Sequence, residues 1–230
     1  MSHDTETEAL AGGLVEARAL GWRERASAQT LRRDGRRWTA WTAGVVLTFS
    51  APSVLLIGLE PLMAPFALIW AAHGWAVCRM QAGRGVKSIV PIGSERSAAR
   101  HRDVDGGAED VALGLLGDLV GHEERELLLR TGLALERGSL GIWLVGEQGA
   151  LLVEPPGRRI HSFCVRVADA QDLPAGDRVA HLLLALREDE LGFLTVSNMN
   201  FSGATWRCRL RMEGRQRRAL DAARAAVKGA

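Results

Sequence analysis

The segment TWRCRLRM over 205–212 alternates arginine with apolar residues, and three more arginines follow at once. Successive side chains on a strand point to opposite faces. The run therefore predicts a strand with Trp206, Cys208, Leu210 and Met212 on one face and Arg207, Arg209 and Arg211 on the other. Arg215, Arg217 and Arg218 extend the basic stretch. Guanidinium groups grip phosphate bidentately, so this ladder is a candidate contact for lipid head groups or nucleic acid. A solvated strand face in an arginine-rich chain has the same pattern. Of the 29 Lys and Arg residues only Lys87 and Lys228 are lysine, and tyrosine is absent. That bias reads as codon drift in a GC-rich genome.

Other residue types invite chemistry but lack partners. His161, Cys164 and His181 suggest a Cys–His pair. His161 and Cys164 lie three apart, hence on opposite faces of a strand, and no third group orients a nucleophile. Cys164 and Cys208 read more simply as small core residues. Asn198 and Asn200, in the polar segment Asn198–Gly203, are pocket candidates, although asparagine and glycine also make turns. The three cysteines, Cys78, Cys164 and Cys208, form no CxxC pair, which argues against a disulfide framework and a zinc site. A reduced, cytoplasmic setting fits them. No glycine-rich nucleotide loop occurs. The expectation is no metal, no cofactor and no catalytic residue.

The elements that position these residues begin with a long apolar stretch. From Trp38 to Cys78 the only formally charged residue is Glu60. One crossing needs about 20 apolar residues, so this length predicts two transmembrane helices, Trp38–Leu59 and Leu62–Cys78. They turn at Glu60-Pro61. Pro52 and Pro65 are expected to kink them. Arg32, Arg33, Arg36 and Arg37 precede the first span, and Arg79, Arg84 and Lys87 follow the second. The excess of basic residues on the cytoplasmic side of membrane proteins then puts both termini in the cytoplasm, at the inner leaflet of the cell membrane. His73 is the ionisable residue well inside a span. It has no buried acid or base beside it, so a local hydrogen bond is the expected role. The opening MSHDTETEAL lacks the positive start and apolar stretch of a signal peptide.

Around the hairpin (38–80) the sequence predicts a cytoplasmic segment, 1–37, with a helix over 5–33. A linker over 81–106 follows, with a short strand at Ser88–Pro91. An α+β domain then fills 107–230. Helices are expected at 108–120 and 123–130 and after Asp177 and Gly214. Strands are expected at 140–145, 150–153, 159–167, 191–197 and 205–212, with Asn198–Gly203 a turn.

Gly107-Ala108-Glu109 opening a helix, followed by the hairpin LVGEQGALLVE (Leu144–Glu154), resembles the nuclease-related domain (NERD) family. The likeness covers about 107–154. It implies a fold similar to restriction endonucleases, and Glu154 would stand at a metal-ligand position. The family's Asp would fall near Gly141 and its Lys near Pro156. Two readings follow. One is a non-catalytic, membrane-anchored module that binds the inner leaflet and a protein partner or a second copy of itself. The other is a nuclease-related, nucleic-acid-binding membrane protein with a degenerate site.

Overall fold

The computed structural model describes residues 13–99, 105–166 and 172–229. After a short helix α1 (Val15–Ala19), two long helices dominate the N-terminal part: α2 (Ala28–Leu59) and α3 (Ala64–Ser88). The expected helix over 5–33 is interrupted, and its residues 5–12 lie outside the described ones. Ser27 restarts the chain as α2 through a capping box: its Oγ accepts from Thr30 N (3.1 Å), and Thr30 Oγ1 accepts from Ser27 N (2.8 Å). Such reciprocal bonds satisfy amides a helix start leaves open.

Both helices are long and apolar enough to cross a membrane. Pro52 cannot bond Thr48 O, and Trp70 Nε1 from α3 donates to that carbonyl instead (3.3 Å), a repair available when a neighbouring helix is close. Pro65, expected to kink a span, stands in the first turn of α3, where its missing N–H costs nothing. His73 Nδ1 donates to Ile69 O of its own helix (2.7 Å).

The domain follows: α4 (Glu95–Ala98), α5 (Gly106–Leu119), α6 (His122–Thr131), β1 (Ala134–Arg137), β2 (Ile142–Gly146), β3 (Gly149–Glu154), β4 (Arg159–Cys164), α7 (Ala175–Glu188), α8 (Glu190–Val196), β5 (Asn198–Ala204), α9 (Thr205–Arg209) and α10 (Gly214–Gly229). The fold is α+β. Its single described sheet is antiparallel, with five strands in chain order. Between β4 and β5 the chain leaves for α7 and α8, then returns beside β4.

Helices cover both sheet faces, which is why β2 and β3 read as unbroken apolar runs rather than alternating ones. Trp143, Leu152 and Phe163 face Leu116 of α5, Leu183 of α7 and Phe193 of α8. Leu144, Leu151 and Ile160 face Val86 of α3 and Leu220 of α10. Glu109 of α5 caps α7 by accepting from Ala175 N (2.8 Å) and Gly176 N (3.2 Å), so the expected cap, Asp177, lies inside the helix.

Four expected elements are different. Residues 81–92 are not linker: α3 runs on to Ser88, and Ile89, Val90 and Ile92 are buried. Burying such side chains contributes about 1.5–3 kcal/mol each, more than the ~1–2 kcal/mol needed to order each residue's backbone. The strand expected at 191–197 is helix α8, and the turn expected at 198–203 is strand β5. The strand expected at 205–212 is the short helix α9 and a following turn. Val167, placed on the expected third strand, lies outside the described residues.

Candidate functional site

The apolar helices do not hang from the domain; their ends nearest the sheet are built into it. β5 lies at the sheet edge, with α2 against one face and α3 against the other. Two glycines permit the approach. A Cβ on Gly35 of α2 would sit 3.1 Å from His161 Cε1 and 3.3 Å from Ser202 Oγ, and one on Gly85 of α3 would sit 2.7 Å from Phe201 Cβ. Trp38 of α2 reaches round the edge to Phe201, with ring centroids 6.2 Å apart.

A polar cluster lies under α2. Register pairs Glu154 with Arg159 and His161 with Ser202 across neighbouring strands. His161 is buried against Phe163, and its Nε2 lies 3.2 Å from Glu154 Oε1. His161 Nδ1 and Ser202 Oγ have no hydrogen-bond partner among the described residues. Arg159 Nη2 donates to Thr39 Oγ1 of α2 (3.0 Å). The His161 imidazole holds the Glu154 carboxyl below its usual value, aided by Arg159 and Arg32, while burial works in the opposite direction. This is a latch between an apolar helix and the sheet. Gly35 packs over its His161 and Ser202 side, while Glu154 stays partly exposed.

The latch predicts a pH dependence. A carboxyl whose pKa is lower folded than unfolded binds fewer protons in the native state. It contributes stability at pH above its unfolded value, about 4.3, and loses it as pH falls through the folded value. Glu154→Gln keeps the shape and removes the titration. In denaturant titrations the wild type should exceed the variant in stability at pH 7, with the gap closing below about pH 4.5. A gap constant from pH 7 to pH 3 would disprove the latch.

The pocket candidates Asn198 and Asn200 sit near the start of β5, away from the Glu154–His161 cluster. Asn198 Oδ1 accepts from Arg23 Nη2 (3.3 Å). Asn200 lies where the β4–β5 register shifts, between the pairs Ser162–Phe201 and Phe163–Met199. Arg23 also donates to Ser197 O (2.7 Å), and Ala26 N donates to Thr195 Oγ1 (2.9 Å). The described N-terminal segment therefore packs on the domain. Sequence reasoning missed Ser202, because its segment read as a turn.

The expected arginine ladder is dispersed by α9. Arg207 turns inward, donating to Cys78 O (3.1 Å) and Gln81 Oε1 (3.0 Å) at the end of the apolar stretch of α3. Arg209 is engaged by Asp221 through two bonds of 3.1 and 2.9 Å. Arg215 donates to Gly93 O (3.2 Å), and Arg217 donates to Met212 O (2.8 Å). Arg211 and Arg218 remain exposed. Arg211 instead joins Arg79, Arg84 and Lys87 of α3 around a cleft of about 340 Å³. Burial pushes the Cys208 thiol up to about 12, so it is a packing residue and no nucleophile at neutral pH. Among the described residues no group of three or more His, Cys, Asp or Glu side chains is placed to hold a metal ion.

Fold and site together define an α+β domain clamped at one sheet edge by a pair of long apolar helices. No protein family, curated protein or solved structure matches the chain significantly.

Proposed function

We propose that this chain is an integral membrane protein whose α+β domain is a non-catalytic docking platform at the inner leaflet, for a protein partner or a second copy. Trp38–Leu59 and Leu62–Cys78 cross the bilayer, with both ends cytoplasmic. The observation that carries this reading is the bareness of the helices. Only 6% of the most apolar stretch of α2, and 11% of that in Pro61–Ser88, is buried within the protein. Leu47, Leu55, Leu62 and Phe66 are all more than 60% exposed. Apolar surface on this scale marks contact with lipid or protein. Basic residues flank both apolar stretches on the domain side, and none lies in the turn between them.

A mostly apolar groove of about 820 Å³ supports the platform role; Leu14, Leu20, Val165, Leu184 and Val196 are among its lining residues. The test uses the full chain in membranes. Alkaline extraction should leave it in the pellet, and cross-linking should capture one defined partner. Leu184→Arg, at an exposed position, should abolish the capture without lowering the melting temperature. Release by alkali would overturn the membrane reading. Capture that survives Leu184→Arg would remove the groove. Salt-dependent retention of duplex DNA would replace the platform with a nucleic-acid function.

A further inference from the structure

We infer that the cleft between α3 and the turn after α9 binds the phosphate of an anionic phospholipid head group. The inference rests on the membrane placement proposed above. Arg79, Lys87 and the intervening Gly83 recur at four-residue steps, so they share one face of α3. Arg84 borders the same cleft, and Arg211 closes it from the domain side. No carboxylate is among its lining residues. Arg209 and Arg187, by contrast, are each matched by an acid, Asp221 and Glu136. The guanidinium groups of Arg84 and Arg211 make no hydrogen bond or ion pair with any described residue. Arg79, Arg84 and Arg211 thus line a space of about 340 Å³ that holds an anion and has no carboxylate among its lining residues.

What lies next to the cleft selects the ligand. A second hollow, about 150 Å³, shares Arg79 and Arg211 and is otherwise lined largely by apolar groups, among them Trp75, Trp206 and Leu210. Trp206 and Leu210 are 64% and 70% exposed. The Arg79 guanidinium lies 4.8 Å from the Trp75 ring centroid. Tryptophan favours the membrane–water interface, and these residues flank the end of the apolar stretch of α3. A cationic hollow beside an aromatic, apolar one follows the order of a phospholipid, phosphate first and then glycerol and acyl chain. Basic pockets between membrane helices on the cytoplasmic side take such head groups.

The experiment uses the full chain purified from phosphatidylcholine nanodiscs containing a minor fraction of phosphatidylglycerol, with retained lipid counted by native mass spectrometry. The wild type should retain phosphatidylglycerol over phosphatidylcholine by roughly tenfold, and Arg84→Ala/Arg211→Ala should lose that preference at unchanged melting temperature. Arg36→Ala/Arg37→Ala, basic but on α2, should keep it. Equal retention of the two lipids by the wild type would overturn the inference. Equal loss in both double variants would reduce it to diffuse attraction and overturn it as well. Displacement by soluble glycerol phosphate or by single-stranded DNA at matched concentration would assign the cleft to those ligands instead. Resistance to alkaline extraction, scored in parallel, separates failure of this site from failure of the membrane placement.

Discussion

Gly85→Leu will lower the melting temperature of the detergent-solubilised protein by about 10 °C. Gly85 lies inside α3, where glycine costs about 1 kcal/mol relative to alanine, so helix propensity alone favours replacement. Packing reverses the sign. The first added carbon would lie 2.7 Å from Phe201 Cβ, 3.0 Å from Phe201 Cγ and 3.3 Å from Cys208 Sγ. Phe201 and Cys208 are fully buried and cannot swing away. Retreat of the helix is also blocked. Gly85 O accepts from Ser88 Oγ (2.8 Å) and from Ser162 Oγ of β4 (2.7 Å), and the two hydroxyls touch each other. Overpacking costs about 1–3 kcal/mol, and each broken hydrogen bond about 0.5–1.5 kcal/mol. The total, about 3–4 kcal/mol, corresponds to roughly 10 °C at ~2–4 °C per kcal/mol for a chain of this size. Gly83→Ala is the control, since the nearest atom to its Cβ would be Arg211 Nε at 3.9 Å. It should melt at or slightly above the wild type. Melting of Gly85→Leu within 2 °C of the wild type would mean that α3 does not seat on β5.

That seat is the feature least legible in the sequence. The apolar stretch and its basic flanks are plain by composition, and so is the β2–β3 hairpin around Gly146–Gly149. What cannot be read locally is where a helix ends when its last turns are buried by distant residues. Residues 81–88 carry Arg84, Lys87 and two glycines, which looks like linker chemistry. Gly85 is there because Phe201 of β5 and Cys208 approach the helix, whereas Gly83 has no such neighbour. The segment 205–212 is ambiguous for a different reason. Its alternating apolar residues divide into two pairs at i, i+4: Cys208 and Met212, both buried, and Trp206 and Leu210, both exposed. A short run satisfies strand and helix periods together, and tertiary packing chooses. Once it is a helix Arg209 leaves the face of Arg207 and Arg211, and the expected phosphate ladder disperses. Arg211 alone of the three reaches the basic cleft of α3. The Glu154–His161 contact joins two residues singled out separately, which became neighbours only through the β3–β4 register, Leu152 opposite His161 and Glu154 opposite Arg159.

The second large effect is expected at Glu190, which no motif marks. Glu190 is the first residue of α8, and its carboxylate reaches back to the turn between β1 and β2. It accepts from Ser139 N (2.8 Å), Ser139 Oγ (2.5 Å), Leu140 N (3.3 Å) and the Trp143 indole N–H (2.5 Å). Trp143 is fully buried, with Phe163 at 5.6 Å and Phe193 edge-on at 5.8 Å. Glu190→Ala leaves the indole N–H inside the core with no acceptor. An unsatisfied buried donor costs about 1–3 kcal/mol, and hydrogen bonds to a charged group contribute about 1.5–3 kcal/mol each. Bonds that share one carboxylate do not add, so the expected loss is about 3 kcal/mol, again near 10 °C. Glu190→Gln is the more telling variant. It preserves volume, but its amide NH₂ is a donor facing donors, and one oxygen must serve groups that two served before. It should fall between the wild type and Glu190→Ala. The Trp143 contribution to fluorescence should shift to the red in both variants, because the ring loses its fixed partner and water can reach the site. If Glu190→Gln were as stable as the wild type, the carboxylate's second oxygen would have no role in holding the turn. The latch between α8 and the β1–β2 turn would then reduce to the two bonds at Oε1, from Leu140 N and the Trp143 indole.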